Sequence, residues 1–160
     1  MNTSGQLVVF AIGNDARGDD ALGPLLARRI EQGGFADLSL FIEYQLQIEH
    51  ALDLRDAAAV LFIDAAKGLA RPFEFGPVEA EMSTPVLSHA LSPAVLLGVY
   101  RRIEGGPPPP AVVLALRGEA FELGAPLSAS AAAALESAWA WLNGRLSASA
   151  LLASGAAAHA

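Results

Sequence analysis

The 160-residue chain has no cysteine. That absence excludes a disulfide framework, a thiolate zinc site and a cysteine nucleophile. No apolar run approaches the ~20 residues that a membrane-crossing helix requires. No basic stretch precedes the short apolar run in "MNTSGQLVVFAIGND", so no secretory signal is expected and the expected compartment is the cytoplasm. Basic residues are few: ten Lys and Arg stand against seventeen Asp and Glu, a formal charge of −7. A surface of that sign repels a phosphate backbone, so nucleic acid is not an expected partner, and without a spanning run neither is a membrane.

Hydrophobic residues, in contrast, make up 53% of the chain, and the mean hydropathy is +0.40. At this length a single domain can bury a substantial core. Strand-like and helix-like segments alternate along it. "QLVVFAI" (6–12), "LSLFIEYQL" (38–46), "AAVLFIDAA" (58–66) and "AVVLALRG" (111–118) read as strands, and "FEFGPVEAEM" (73–82) as a further strand bent at Gly76-Pro77. "ALGPLLARRIEQ" (21–32) puts Leu22, Leu25, Leu26 and Ile30 on one helical face, with Pro24 confined to the first turn and Gly33-Gly34 ending the helix. "IEHALDLRD" (48–56), "SPAVLLGVYRRIE" (92–104, Ser92 as N-cap and Pro93 first in the helix) and "SASAAAALESAWAWLNGRL" (128–146) complete the helices. Residues 1–146 read as one domain and 147–160, rich in Ala and Ser, as a frayed tail. The alternation predicts an α/β fold, a three-layer α/β/α sandwich around a mainly parallel sheet.

In such a sheet, ligands bind at the carboxyl ends of the strands. Three polar segments fall at that edge: "GNDARGDD" (13–20), Asp64, and "LSHALSP" (87–93). The first is not a phosphate loop: it has neither G-x-G-x-x-G nor G-x-x-x-x-G-K-S/T, and Asp15, Asp19 and Asp20 would repel the anion. Asp19 and Asp20 suit a helix N-terminus, where the macrodipole favours carboxylates; one carboxylate suffices there, which leaves the other to face the cleft. Asp64 either hydrogen-bonds the next loop or serves as a ligand or acid-base group. His89 is balanced in the same way between loop bonding and chemistry. His50, at the start of a polar-faced helix, is expected in solvent, and His159 in the tail is incidental.

Asp20, Asp64 and His89 offer two oxygens and one nitrogen, a set able to meet a divalent borderline metal and leave positions open. The same edge could arrange Ser88 or Ser92 with His89 and Asp64 as a serine hydrolase. However, the chain has no G-x-S-x-G elbow, and Ser92 is accounted for by helix capping.

The stretch "FAIGNDARGDDALGPLLARRI" resembles the N-terminal signature of the NiFe-hydrogenase maturation endopeptidases: a strand, Gly-Asn, a short loop, an acidic pair, then a helix. The likeness continues through "EYQLQIEHALDLRDAAAVLFIDAA", "LSHALSPAVLLGVYRR" and "LRGEAFELGAPLS", and so covers roughly residues 7 to 145. "QL…E" and "GEAFELGAPLS" look most like the branch serving cytoplasmic, multi-subunit hydrogenases. Ala21 stands where many relatives have glycine, and the loop carries Asp and Arg where apolar residues are common.

The resemblance implies an endopeptidase, a hydrolase that removes a C-terminal extension from the hydrogenase large-subunit precursor once nickel is inserted. It places the family's metal contacts on Asp20, Asp64 and His89, with Asp20 and Asp64 as catalytic candidates. Gly13 and Asn14 would shape the turn, and Asp19 would support the helix start. It further implies nickel brought by the precursor and not held by the enzyme, and a monomer is expected. Either the metal polarises the scissile carbonyl or water, or it only positions the precursor while a carboxylate activates water. Two alternatives stand beside this: a nickel-site checkpoint or chaperone that does not cut, and a small hydrolase of the peptidyl-tRNA hydrolase type.

Overall fold

Leu7–Ile12 is apolar at every position, a pattern that satisfies a strand only when both its faces are covered. The computed structural model, which describes residues 5–85 and 90–157, makes it β1, an inner strand with every residue buried. The sheet runs β2-β1-β3-β5-β4, with β2 at Leu38–Glu43, β3 at Ala59–Ala66, β4 at Phe73–Val78 and β5 at Ala111–Arg117. All pairings are parallel except that of β4 with β5. Pro77 falls on β4, at the sheet edge, where its missing N–H costs no ladder bond.

Alternation along the inner strands divides the core into two. Leu7, Val9, Leu61, Ile63 and Leu114 face one side, beneath α1 (Leu22–Gly33), α3 (Ala129–Leu142) and α4 (Ala148–Ala157). Val8, Phe10, Ile12, Val60 and Phe62 face the other, beneath a 3-10 segment (Ile48–Leu54) and α2 (Pro93–Glu104). The result is the expected three-layer α/β/α sandwich. On the second face Phe10 stacks between Phe41 and Phe62, at 5.1 and 5.8 Å, which links three neighbouring strands.

Local sequence explains the helix ends. Leu22, Leu26 and Ile30 recur at helical spacing and are buried to within 1%; burying each contributes about 1.5–3 kcal/mol. Gly34 closes α1 at φ 63, in the left-handed conformation that glycine adopts cheaply. Ser92 caps α2 by accepting from the N–H of Val95, and Pro93 follows as its first residue. Ser128 caps α3 in the same way through Ala131.

Three boundaries differ from the sequence reading. The second strand stops at Glu43, and residues 48–54 wind as 3-10 turns in place of an α-helix. The strand from Phe73 ends at Val78. The long final helix breaks after Leu142, and the segment expected to fray instead forms α4 over Ala148–Ala157. There Ala148 and Leu151 are buried against the sheet, and a Cβ on Gly155 would reach a methyl of Val112 at 3.1 Å. Small residues let this helix lie close to the strands, so few large side chains suffice to hold it.

Candidate active site

The connections on either side of β1 and β3 depart to opposite faces. β1 leads to α1 on one face, whereas β3 leads through β4 to α2 on the other. Adjacent strands diverging in this way open a crevice at their carboxyl ends. Asp20 follows β1 and Asp64 lies near the carboxyl end of β3, so both carboxylates reach that crevice. They line one cleft of about 390 Å³ with Ile12, Tyr44, Gln45, Leu46 and the segment Ala90–Pro93. An antiparallel bridge between Leu46 and Leu91 ties the two outer walls together. Two hollows of about 620 Å³ lie elsewhere, one along Pro107–Pro110 and one beside Trp141; neither contains a pair of carboxylates.

Asp20 is held by a tight reversal of the chain. Gly13 has φ 151, and a Cβ there would lie 2.0 Å from the carbonyl oxygen of Asp20, so only glycine fits. This approach lets the Asn14 N–H donate to Asp20 Oδ2 at 2.8 Å. Asn14 Oδ1 in turn accepts from the Ala16 N–H at 2.9 Å, an Asx turn. Two charged residues of this loop lie outward, Asp15 pairing with Arg28 at 3.0 Å and Arg17 standing in solvent.

Asp64 comes directly after five buried residues, and its Oδ1 accepts from the Ala65 N–H at 2.8 Å. Burial pushes its carboxyl up to about 6, partly opposed by the Ala65 hydrogen bond and reinforced by the negative charge of Asp20. A carboxyl there exchanges protons near neutral pH, as a general base requires.

The third sequence candidate, His89, lies outside the described residues, as do Ser88 and His159. Among the described residues no cluster of three or more His, Asp and Glu side chains is gathered to hold a metal ion. Ser92 lines the cleft, but its hydroxyl oxygen is engaged as the cap of α2.

His50 is not in solvent as expected; its side chain is 12% exposed. Its ring meets Phe10 edge-on at 5.3 Å, Nδ1 accepts from the Gln47 N–H at 2.8 Å, and Nε2 lies 3.5 Å from Glu43 Oε1. An apolar ring face beneath and two polar partners at its rim make burial favourable.

Asp19 departs from expectation as well. Neither the 3-10 turn at Gly18–Ala21 nor α1 receives a side-chain cap from it. The side chain is fully buried and reaches instead the far loop 118–128. Its oxygens accept from the N–H groups of Glu119 (2.7 Å), Ala120 (3.0 Å) and Ser128 (2.7 Å), and from the Ser128 hydroxyl (2.7 Å). Burial alone would raise its carboxyl, but these bonds from Ala120, Glu119 and Ser128 outweigh that and hold it below the ordinary carboxylate value. Nothing in local sequence marks this role, because the donors lie about a hundred residues away. Tyr44 and Gln45 as cleft walls were also unmarked, except as part of the "EYQLQ" stretch.

No protein-family model matches the sequence, and no curated protein matches it either. Solved structures do. The fold is similar to that of HycI, a NiFe hydrogenase maturation protease from Thermococcus kodakarensis KOD1, with a TM-score of 0.65, 20% identity, and 94% of each chain covered. It is similar to the hydrogenase maturating endopeptidase HybD from E. coli, with a TM-score of 0.60, 19% identity, and coverage of 89% of this chain and 94% of that one. The endopeptidase HycI from Escherichia coli gives 0.63 at 19% identity, over 87% and 90% of the two chains. At these identities the likeness establishes a shared α/β fold.

Proposed function

We propose that this chain is a hydrogenase maturation endopeptidase that removes a C-terminal extension from the large-subunit precursor after nickel insertion. One observation carries the reading: Asp20 and Asp64 share the switch-point cleft, in a fold similar to that of such proteases, where burial pushes the Asp64 carboxyl up to about 6. An open cleft with an acid-base carboxyl suits peptide hydrolysis, and the absence of cysteine and the N-cap engagement of Ser92 disfavour a thiol or serine nucleophile.

Asp64, ionised, takes a proton from water as the water oxygen attacks the scissile carbonyl carbon. As the C–N bond breaks, the same carboxyl returns the proton to the departing amine. Asp20, fixed through Oδ2 by the Asn14 N–H, supplies the second negative charge that orients the metal-bearing end of the precursor. Two carboxylates crowded in a partly buried cleft fit a divalent cation, since positive charge relieves the burden on both. His89 would add a nitrogen to their oxygens, a set that would leave a coordination shell incomplete, as befits nickel brought by the substrate. A metal in that position would supply carbonyl polarisation.

The test is to incubate the chain with nickel-loaded precursor and follow intact mass. Loss of the C-terminal peptide supports the reading. Binding with no mass loss points to a checkpoint or chaperone, and neither binding nor cleavage overturns both.

A further inference from the structure

Asp19 is a buried charge that the proposed chemistry does not use, yet among the described residues near the cleft its side chain is the most heavily bonded. Its carboxylate takes three backbone N–H groups and one hydroxyl from residues 119–128, and its own N–H donates to the Ala120 carbonyl at 2.7 Å. Packing around it is close. A Cβ on Gly18 (φ 54) would meet the Ala120 oxygen at 2.3 Å, and one on Gly118 would meet the Asp19 Cβ at 3.0 Å. Farther along, the Gly124 N–H donates to the Ala16 carbonyl at 2.8 Å. The strand-to-helix turn that carries Asp20 is therefore pinned, one residue before it, to a loop about a hundred residues later in the chain. Ser128 carries the lock onward: the hydroxyl that donates to Asp19 also accepts from Ala131 and so begins α3.

We infer that Asp19 is the positioning residue for Asp20. By tying the turn to the 118–128 loop and the head of α3, it sets where the Asp20 carboxylate stands relative to Asp64. The inference rests on the peptidase reading for its consequence in catalysis, but its geometric content is independent of it. An adjacent pair of acids thus has divided labour: the first is turned inward as a clamp and the second outward into the cleft.

The Asn14 N–H, which donates to Asp20 Oδ2, reports the position of that carboxylate directly. The experiment compares Asp19→Asn, Ser128→Ala and Ser147→Ala with the parent chain. Asn at 19 turns one acceptor oxygen into a donor facing N–H groups, and Ser128→Ala removes one arm of the clamp should the first variant fold poorly. Ser147 caps α4 by the same kind of bond, to Ala150 at 3.2 Å, and lines no part of the cleft. Amide exchange at Asn14 and the kcat and KM for precursor cleavage are measured for each.

Asn14 exchange should accelerate in Asp19→Asn and Ser128→Ala but not in Ser147→Ala. In the same two variants kcat should fall by up to about a hundredfold with KM little changed, as displacement of a reacting group by about 1 Å does. If those two variants lose thermal stability while Asn14 exchange and kcat stay with Ser147→Ala, Asp19 only braces the fold and the inference is overturned. If Asn14 loosens as expected while even the parent chain cleaves nothing, the positioning role stands and the peptidase reading falls.

Discussion

The Asp64 carboxyl stands at about 6 because the end of β3 buries it and because Asp20, arriving from the other side of the switch point, adds a second negative charge. Two residues far apart in the chain thereby form one electrostatic unit in one cleft. The unit can be taken apart by single substitutions.

Asp20→Asn keeps an oxygen for the Asn14 N–H and removes the charge. Processing should be lost while thermal stability changes by less than about 1 kcal/mol, the ordinary worth of a cap. The Asp64 carboxyl, followed by carbon-13 NMR, should titrate lower than in the parent while staying above the ordinary value, because burial remains. A large loss of stability would show that Asp20 chiefly supports the helix start.

The raised Asp64 carboxyl makes stability depend on pH in a definite direction. The native state holds a proton on Asp64 between the ordinary value of 3.8 and about 6, where the unfolded chain has released it. This group's contribution is fully present below pH 3.8 and is lost as pH rises through 6. Asp64→Asn should therefore match the parent in acid and exceed it at neutral pH, by at most ~3 kcal/mol for a shift of about two units. Processing should disappear in the same variant. Denaturant melts across the pH range test this, and equal stabilities at neutral pH would deny that burial strains the ionised carboxyl.

Gly13→Ala should be costly out of proportion to one methyl group. The new Cβ would press on the Asp20 carbonyl oxygen, and the positive φ is itself unfavourable for alanine. A loss of about 1–3 kcal/mol or more is expected, along with loss of processing. Unchanged melting would mean that the turn can relax without consequence.

Leu151→Ala tests whether the terminal helix belongs to the domain. Leu151 is fully buried against the sheet, so a destabilisation of about 2–5 kcal/mol is expected. A frayed segment would tolerate the change with no measurable effect.

The source of the metal can be tested by mixing. Chelator-treated protein should process nickel-loaded precursor, and nickel-treated protein should leave nickel-free precursor intact. Efficient cutting in the second mixture would identify an ordinary metallopeptidase with its own ion and would retire the substrate-borne role.

The sequence by itself determined the layers and where the cleft must lie. An unbroken apolar run such as Leu7–Ile12, short and rich in Val and Ile, suits an inner strand, and Leu22, Leu26 and Ile30 at helical spacing share one face, so the alternation points to a parallel sheet covered on both sides. Gly13 and Asp64 were legible because each sits where a buried strand gives out. Tertiary structure alone decided that Asp19 clamps a distant loop while Asp20, the identical residue beside it, faces the cleft. Local chemistry allows either to cap the helix, and the outcome depends on donors at Glu119, Ala120 and Ser128 that only folding brings near. The same holds for His50, drawn inward by Phe10, and for α4, whose Ala and Ser composition looks featureless until the sheet supplies a surface for Leu151. Periodicity records which side of an element is apolar, whereas a buried carboxylate's partner is set by contacts across the chain, which no spacing of neighbours encodes.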